Sequence, residues 1–177
     1  LFGTIDARDF AFMRSGMKLT RLDISSVYIA ANGTSQANAI PREAFRGLWN
    51  LKSVILPNNI TRINNGAFRS CGITEIVIPA SVSTYEYNVF NASSGLRHVW
   101  VGNPNAAFIN WCVFYGTNTA AMTLHCPSQA ALNNYNNKEY WKDIANKVVE
   151  TYPAQTDVAL AVMENAAVKF EADKEAG

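Results

Sequence analysis

Ile63-Asn64-Asn65-Gly66-Ala67-Phe68-Arg69-Ser70-Cys71-Gly72-Ile73-Thr74-Glu75-Ile76-Val77-Ile78-Pro79 is the stretch that decides the fold. Its two halves obey different rules. Residues 63–72 set turn formers around two inward anchors, Ile63 and Phe68, which suits an irregular or short helical segment. Residues 73–79 are β-branched and closed by proline, which suits a short strand. The same grammar recurs on both sides. Ile5/Phe10, Ile40/Phe45, Tyr85/Phe90 and Ile109/Phe114 keep the five-residue spacing of Ile63/Phe68. Each pair precedes an apolar-x-x-apolar-x-apolar run: Leu19/Leu22/Ile24, Leu51/Val54/Leu56, Ile73/Ile76/Ile78, Leu96/Val99/Val101 and Ala121/Leu124/Cys126. From Phe45 onward, equivalent phenylalanines are 23, 22 and 24 residues apart. A fixed period of this size marks a stacked solenoid.

Stacking has a physical cause. One repeat buries about four large side chains, roughly 6–12 kcal/mol gross. Ordering its twenty or so residues costs about 1–2 kcal/mol of backbone entropy each, so a lone repeat does not fold. Neighbours bury each other's flanks, and the array is stable. The expected fold is therefore an α/β-type repeat solenoid, right-handed and short. It has one parallel strand per repeat and irregular or short helical convex segments.

The repeating text of Ile63, Ala67-Phe68, Cys71, Ile73, Ile76 and Ile78-Pro79 resembles the BspA-like leucine-rich repeats of bacterial and some protist surface proteins. Gly3 to Phe10 and Leu22-Asp23-Ile24-Ser25 resemble the N-terminal repeats of that family. Met122 to Pro127, with Tyr135 and Trp141-Lys142-Asp143-Ile144, resembles its closing element, where a terminal strand leads into a capping helix. The resemblance covers residues 2 to about 149. It implies a surface or secreted module with an adhesion role or none assigned, and no enzymatic activity.

About five repeats are expected over residues 1–127, the first partial, with a cap over 128–150 in which Tyr135, Tyr140, Trp141 and Ile144 cover the open end. One strand-to-anchor gap is long: 21 residues from Leu19 to Ile40, against 12 from Leu51 to Ile63 and from Ile73 to Tyr85. The surplus near residues 28–38 is expected to form a loop. Residues 151–177 alternate at Val158/Leu160/Val162 and Val168/Phe170, as in a β-hairpin that could open a further module. The same residues also fit helical spacing, so both readings stay open.

Composition narrows the function classes. The chain has 177 residues, 49% hydrophobic, with a net charge of +1 and no basic cluster, which argues against nucleic acid or an anionic membrane as partner. No run reaches a membrane-spanning length. The chain starts inside a repeat without a signal peptide, and is read as a mature or trimmed extracellular or cell-surface module. Of three cysteines, Cys71 and Cys126 are expected in the core, and a Cys112–Cys126 disulfide stays open for an oxidising compartment. Nucleophile-elbow, phosphate-loop and zinc-helix motifs are missing, and no cofactor is implied. His98 and His125 fall as diagonal neighbours on the outward sheet face, but Cys126 points the other way and completes no metal site.

The informative surface is the outward fifth strand position: Asp23, Ile55, Val77, Trp100, His125. It forms an apolar line around an indole, rimmed by Arg21, Glu75, Arg97 and His98, and so has the composition of an interface core with a polar edge. The expected partner is a host or bacterial surface macromolecule bound on this concave face. Two alternatives stand beside it: a glycan stacked on Trp100, or a passive stalk with no ligand.

Overall fold

The computed structural model describes residues 1–16 and 18–150; the tail expected as a hairpin over 151–177 lies outside them. Short β-branched segments form the strands. In β7 (Glu75–Ile78) and β9 (His98–Val101), burial alternates with a period of two, sending Ile76, Ile78, Val99 and Val101 inward. β2 (Arg21–Asp23) pairs in parallel with β5 (Ser53–Ile55). β7, β9, β10 (Thr123–Cys126) and β11 (Asn146–Val149) form a four-stranded parallel sheet. The two sheets share one line: Lys52 N–H donates to the Thr20 carbonyl at 2.8 Å, Thr74 N–H to that of Lys52 at 3.3 Å, and Arg97 N–H to that of Thr74 at 2.8 Å.

Two further ladders tie each repeat to the next. The two-residue strands β4 (Ala39–Ile40), β6 (Arg62–Ile63) and β8 (Thr84–Tyr85) form a second parallel sheet. In the turn segments, the N–H groups of Phe45, Phe68 and Phe90 donate to the carbonyls of Ala67, Val89 and Val113 at 2.7, 2.9 and 2.9 Å. The repeats from Ala39 to Tyr85 are thus turns bonded to their neighbours along three sides.

The phenylalanines fill the space between these ladders. Phe45, Phe68, Phe90 and Phe114 stack with ring centroids 5.0, 5.6 and 5.4 Å apart, and Phe10 meets Phe45 edge-on at 5.5 Å. Such offset pairs add about 0.5–1.5 kcal/mol each beyond burial. The turn two residues after each stacked phenylalanine is left-handed, with φ of 73° at Gly47, 52° at Ser70, 56° at Ala92 and 73° at Gly116. The inter-repeat hydrogen bonds hold Ser70 and Ala92 in a conformation that costs a non-glycine residue about 1–2 kcal/mol. At Gly72 the constraint is contact rather than φ: a Cβ there would lie 1.9 Å from the Trp49 carbonyl oxygen.

Three local expectations change. β3 (Ser26–Ile29) runs into the stretch expected as a loop near residues 28–38 and pairs in parallel with β1 (Phe2–Ile5), so Tyr28 and Ile29 extend the N-terminal turn. The remainder folds back through an Asn32–Ser35 bridge and is pinned by Asn32 Nδ2 donating to Asp6 at 2.8 Å. That carboxylate also caps α1 (Ala7–Gly16) by accepting the Arg8 N–H at 2.8 Å. Before β10 the inward apolar residue is Met122, fully buried, while Ala121 is exposed at the end of a one-turn 3-10 helix, Thr119–Ala121.

The closing element is more than a helix. α2 (Gln129–Asn136) starts at Ser128, whose hydroxyl accepts the Ala131 N–H at 3.1 Å, and it holds Tyr135. Tyr140, Trp141 and Ile144 lie in the turns that follow, and β11 extends the sheet beside β10. Trp141 joins the buried aromatics at this end, edge-on to Tyr85, Phe114 and Tyr135. The cysteines are all free and buried. Cys112 Sγ turns to Asn110 Oδ1 at 2.7 Å and forms no bond to Cys126.

Candidate partner-binding face

Parallel pairing in register sets the outward residues in rows. Asp23 stands opposite Ile55, Val77 opposite Trp100, Trp100 opposite His125, and His125 opposite Val148. The next row holds Glu75, His98, Thr123 and Asn146. Arg97 precedes β9, with its guanidinium on the Ser94 and Leu96 carbonyls at 2.7 and 2.9 Å. The strand phase thus puts Asp23, Ile55, Val77, Trp100 and His125 in one line on the side away from the phenylalanine stack.

Exposure along the line is less than expected. Ile55 is 6% and His125 8% exposed, and Val77 and Trp100 are half-buried. Neighbouring strands in a sheet lie about 4.8 Å apart, so bulky residues at one strand position shield each other. The shielding is strongest at Trp100, whose indole stacks on the His125 ring at 4.2 Å and 14° and meets His98 at 5.6 Å.

The two histidines are joined rather than separately solvated. His98 Nδ1 lies 3.0 Å from His125 Nε2, and His125 Nδ1 meets the Glu150 carboxylate. The carboxylate holds the proton on His125 Nδ1, leaving Nε2 to accept from His98 Nδ1–H. Sequence reading missed Glu150 because it enters the face only through the β10–β11 pairing, with its N–H on the Cys126 carbonyl at 3.0 Å. Among the described residues, neither imidazole is bonded to a hydroxyl or thiol, and no three His, Cys, Asp or Glu side chains gather as a metal site. Trp100 Nε1 is buried without an acceptor among them.

Burial holds the His125 imidazole below its ordinary pKa of 6.5; the Glu150 carboxylate opposes that shift and His98 adds to it. The unfolded chain therefore binds a proton at a pH where the folded chain does not, and stability falls as pH drops through about 6.5 and below. Chemical denaturation at pH 7.5 and 5.5 should show a loss at the lower pH that shrinks in His125→Asn. An identical loss in the variant removes His125 as its source.

Residues 20–138 match the family model of the BspA type leucine-rich repeat region, in six copies. The chain belongs to this family. No curated protein matches the chain significantly. BspA-type repeats are typically surface-associated, generally non-enzymatic protein-interaction repeats. No helix among the described residues is long and apolar enough to cross a membrane.

Several large aromatic side chains lie off the strand face, with Trp49, Tyr87, Phe108, Trp111 and Tyr115 all exposed. The signal was present in the repeats. Three residues before the stacked phenylalanines stand Arg42, Asn65, Tyr87 and Trp111; one residue after them stand Arg46, Arg69, Asn91 and Tyr115.

Proposed function

We propose that this BspA-type repeat region is a non-enzymatic recognition module, extracellular or at a cell surface. In this reading a right-handed solenoid holds a macromolecular partner against the strand face through Asp23, Ile55, Val77, Arg97, His98, Trp100 and His125. One observation carries it: at the centre of the outward row, the indole N–H of Trp100 has no acceptor among the described residues. A buried donor left unmatched costs about 1–3 kcal/mol, which an incoming carbonyl or carboxylate recovers. Around it Val77 supplies apolar surface, and Glu75 and His98 supply exposed polar edges. A protein partner fits this face better than a sugar at Trp100, because His125 already covers one face of the indole.

The test uses the surface rather than Trp100 alone, since truncating a residue stacked on His125 also loosens the fold. Immobilised extracellular-matrix, serum and bacterial surface proteins are screened against the full chain, and any binder is re-measured with Val77→Arg. A half-buried valine replaced by a bulky charge should weaken binding at least tenfold, with an unchanged circular-dichroism spectrum. Binding that survives Val77→Arg and Trp100→Ala places the partner elsewhere. A chain that binds nothing in a broad panel is a stalk.

A further inference from the structure

The last complete repeat departs from its predecessors in two ways, and both meet at one place. Its outer turn carries Trp111 and Tyr115, where earlier repeats have Arg42 and Arg46, Asn65 and Arg69, or Tyr87 and Asn91. It is also longer. Phe114 to Met122 spans 8 residues, whereas Phe45 to Leu51 and Phe90 to Leu96 span 6, and Phe68 to Ile73 spans 5. The surplus forms the 3-10 turn and places Thr117 and Thr119 beside the aromatics.

The result is a shallow cleft of about 170 Å³ lined by Trp111, Tyr115, Thr117, Thr119, Tyr140 and Asp143, with Phe114 beneath it. Trp111 and Tyr115 stay 63% and 62% exposed, their rings meeting at 85° with centroids 5.5 Å apart. They form an open corner whose faces are not spent on the core. Thr117 donates its hydroxyl to the Phe90 carbonyl at 2.6 Å and keeps its lone pairs for a ligand. The exposed Asp143 carboxylate forms no ion pair among the described residues. Tyr140 reaches the cleft from a left-handed backbone, φ 64°, a conformation rarely kept by a bulky residue without support from its surroundings.

We propose that this cleft binds a pyranose ring, the terminal or internal sugar of a glycan. A pyranose has flat C–H faces that pack on exposed aromatic rings and a hydroxyl rim that donates to a carboxylate and to threonine oxygens. The cleft supplies both in one place. Its openness suits a polymer passing across it, and its aromatic walls with one carboxylate suit a neutral polyol better than a peptide anion. The site is separate from the strand face and does not rest on the reading given above for Trp100.

The full chain is titrated with methyl hexopyranosides and with oligosaccharides of glucose, galactose, mannose and N-acetylglucosamine, followed by tryptophan fluorescence and saturation-transfer NMR. At least one series should saturate, with a monosaccharide Kd of about 1 mM, and tighten with chain length. Trp111→Ala should weaken it at least tenfold, and Asp143→Asn severalfold. Both positions are exposed, so the fold is retained. Val77→Arg should leave sugar binding unchanged. Failure of every pyranoside to saturate at about 10 mM overturns the proposal. So does binding indifferent to Trp111→Ala, or saturation by tetramethylammonium in place of sugars, which would make the cleft a cation cage.

Discussion

Phe68→Ala should cost about 3–5 kcal/mol and lower the melting temperature by about 10 °C or more. Phe68 is fully buried between Phe45 at 5.0 Å and Phe90 at 5.6 Å. Truncation leaves a cavity with one repeat on each side. The cavity cannot close by sliding the repeats together, because backbone hydrogen bonds of 2.7 Å from Phe45 N–H and 2.9 Å from Phe68 N–H already fix their separation. The relaxation that softens many core truncations is therefore blocked, which places the loss in the upper part of the usual range. Phe12, 70% exposed on α1, is the matched control, and Phe12→Ala should shift a urea midpoint hardly at all. Equal effects from the two substitutions would falsify the aromatic stack as the main packing unit.

Trp141→Ala should be comparably severe, about 3–5 kcal/mol, and should differ in kind. Trp141 closes the far end of the stack, with Tyr85, Phe114 and Tyr135 edge-on at 5.5, 5.5 and 5.0 Å. Its indole N–H also donates to the Ala107 carbonyl at 2.9 Å. Removing it detaches the turns that carry β11, and the edge of β10 is uncovered. An open parallel edge recruits other chains, so the variant should elute partly as oligomers as well as melt earlier. Trp141→Phe separates the two contributions: it keeps most of the packing, drops the hydrogen bond, and should lose about 1 kcal/mol with no oligomer. A monomeric Trp141→Ala protein with wild-type melting would show that the end is closed by other residues.

The two variants also mark how far local text carries. The position of Phe68 in the core was legible from the recurrence of Ile-x4-Phe alone, since a residue repeated every 22 to 24 positions must occupy the same place in every turn. Strand phase was legible for the same reason, and register then aligned Val77, Trp100 and His125. Trp141 was assigned to a helix because the resemblance of residues 122–144 to a closing element implies a capping helix, whereas α2 stops at Asn136. The decision comes from β10, whose open edge takes up Asn146–Val149.

The sequence by itself determined the repeat, its recurring core positions apart from Met122, and the side of the sheet on which each outward residue stands, because these follow from period and alternation. Only the tertiary structure decided how much of each outward residue is free. Stacking of Trp100 on His125, the reach of Glu150 into that pair and the corner made by Trp111 and Tyr115 depend on distances between side chains from different turns. Such distances arise when the turns are laid on one another about 4.8 Å apart, and a pattern along one chain contains no measure of them.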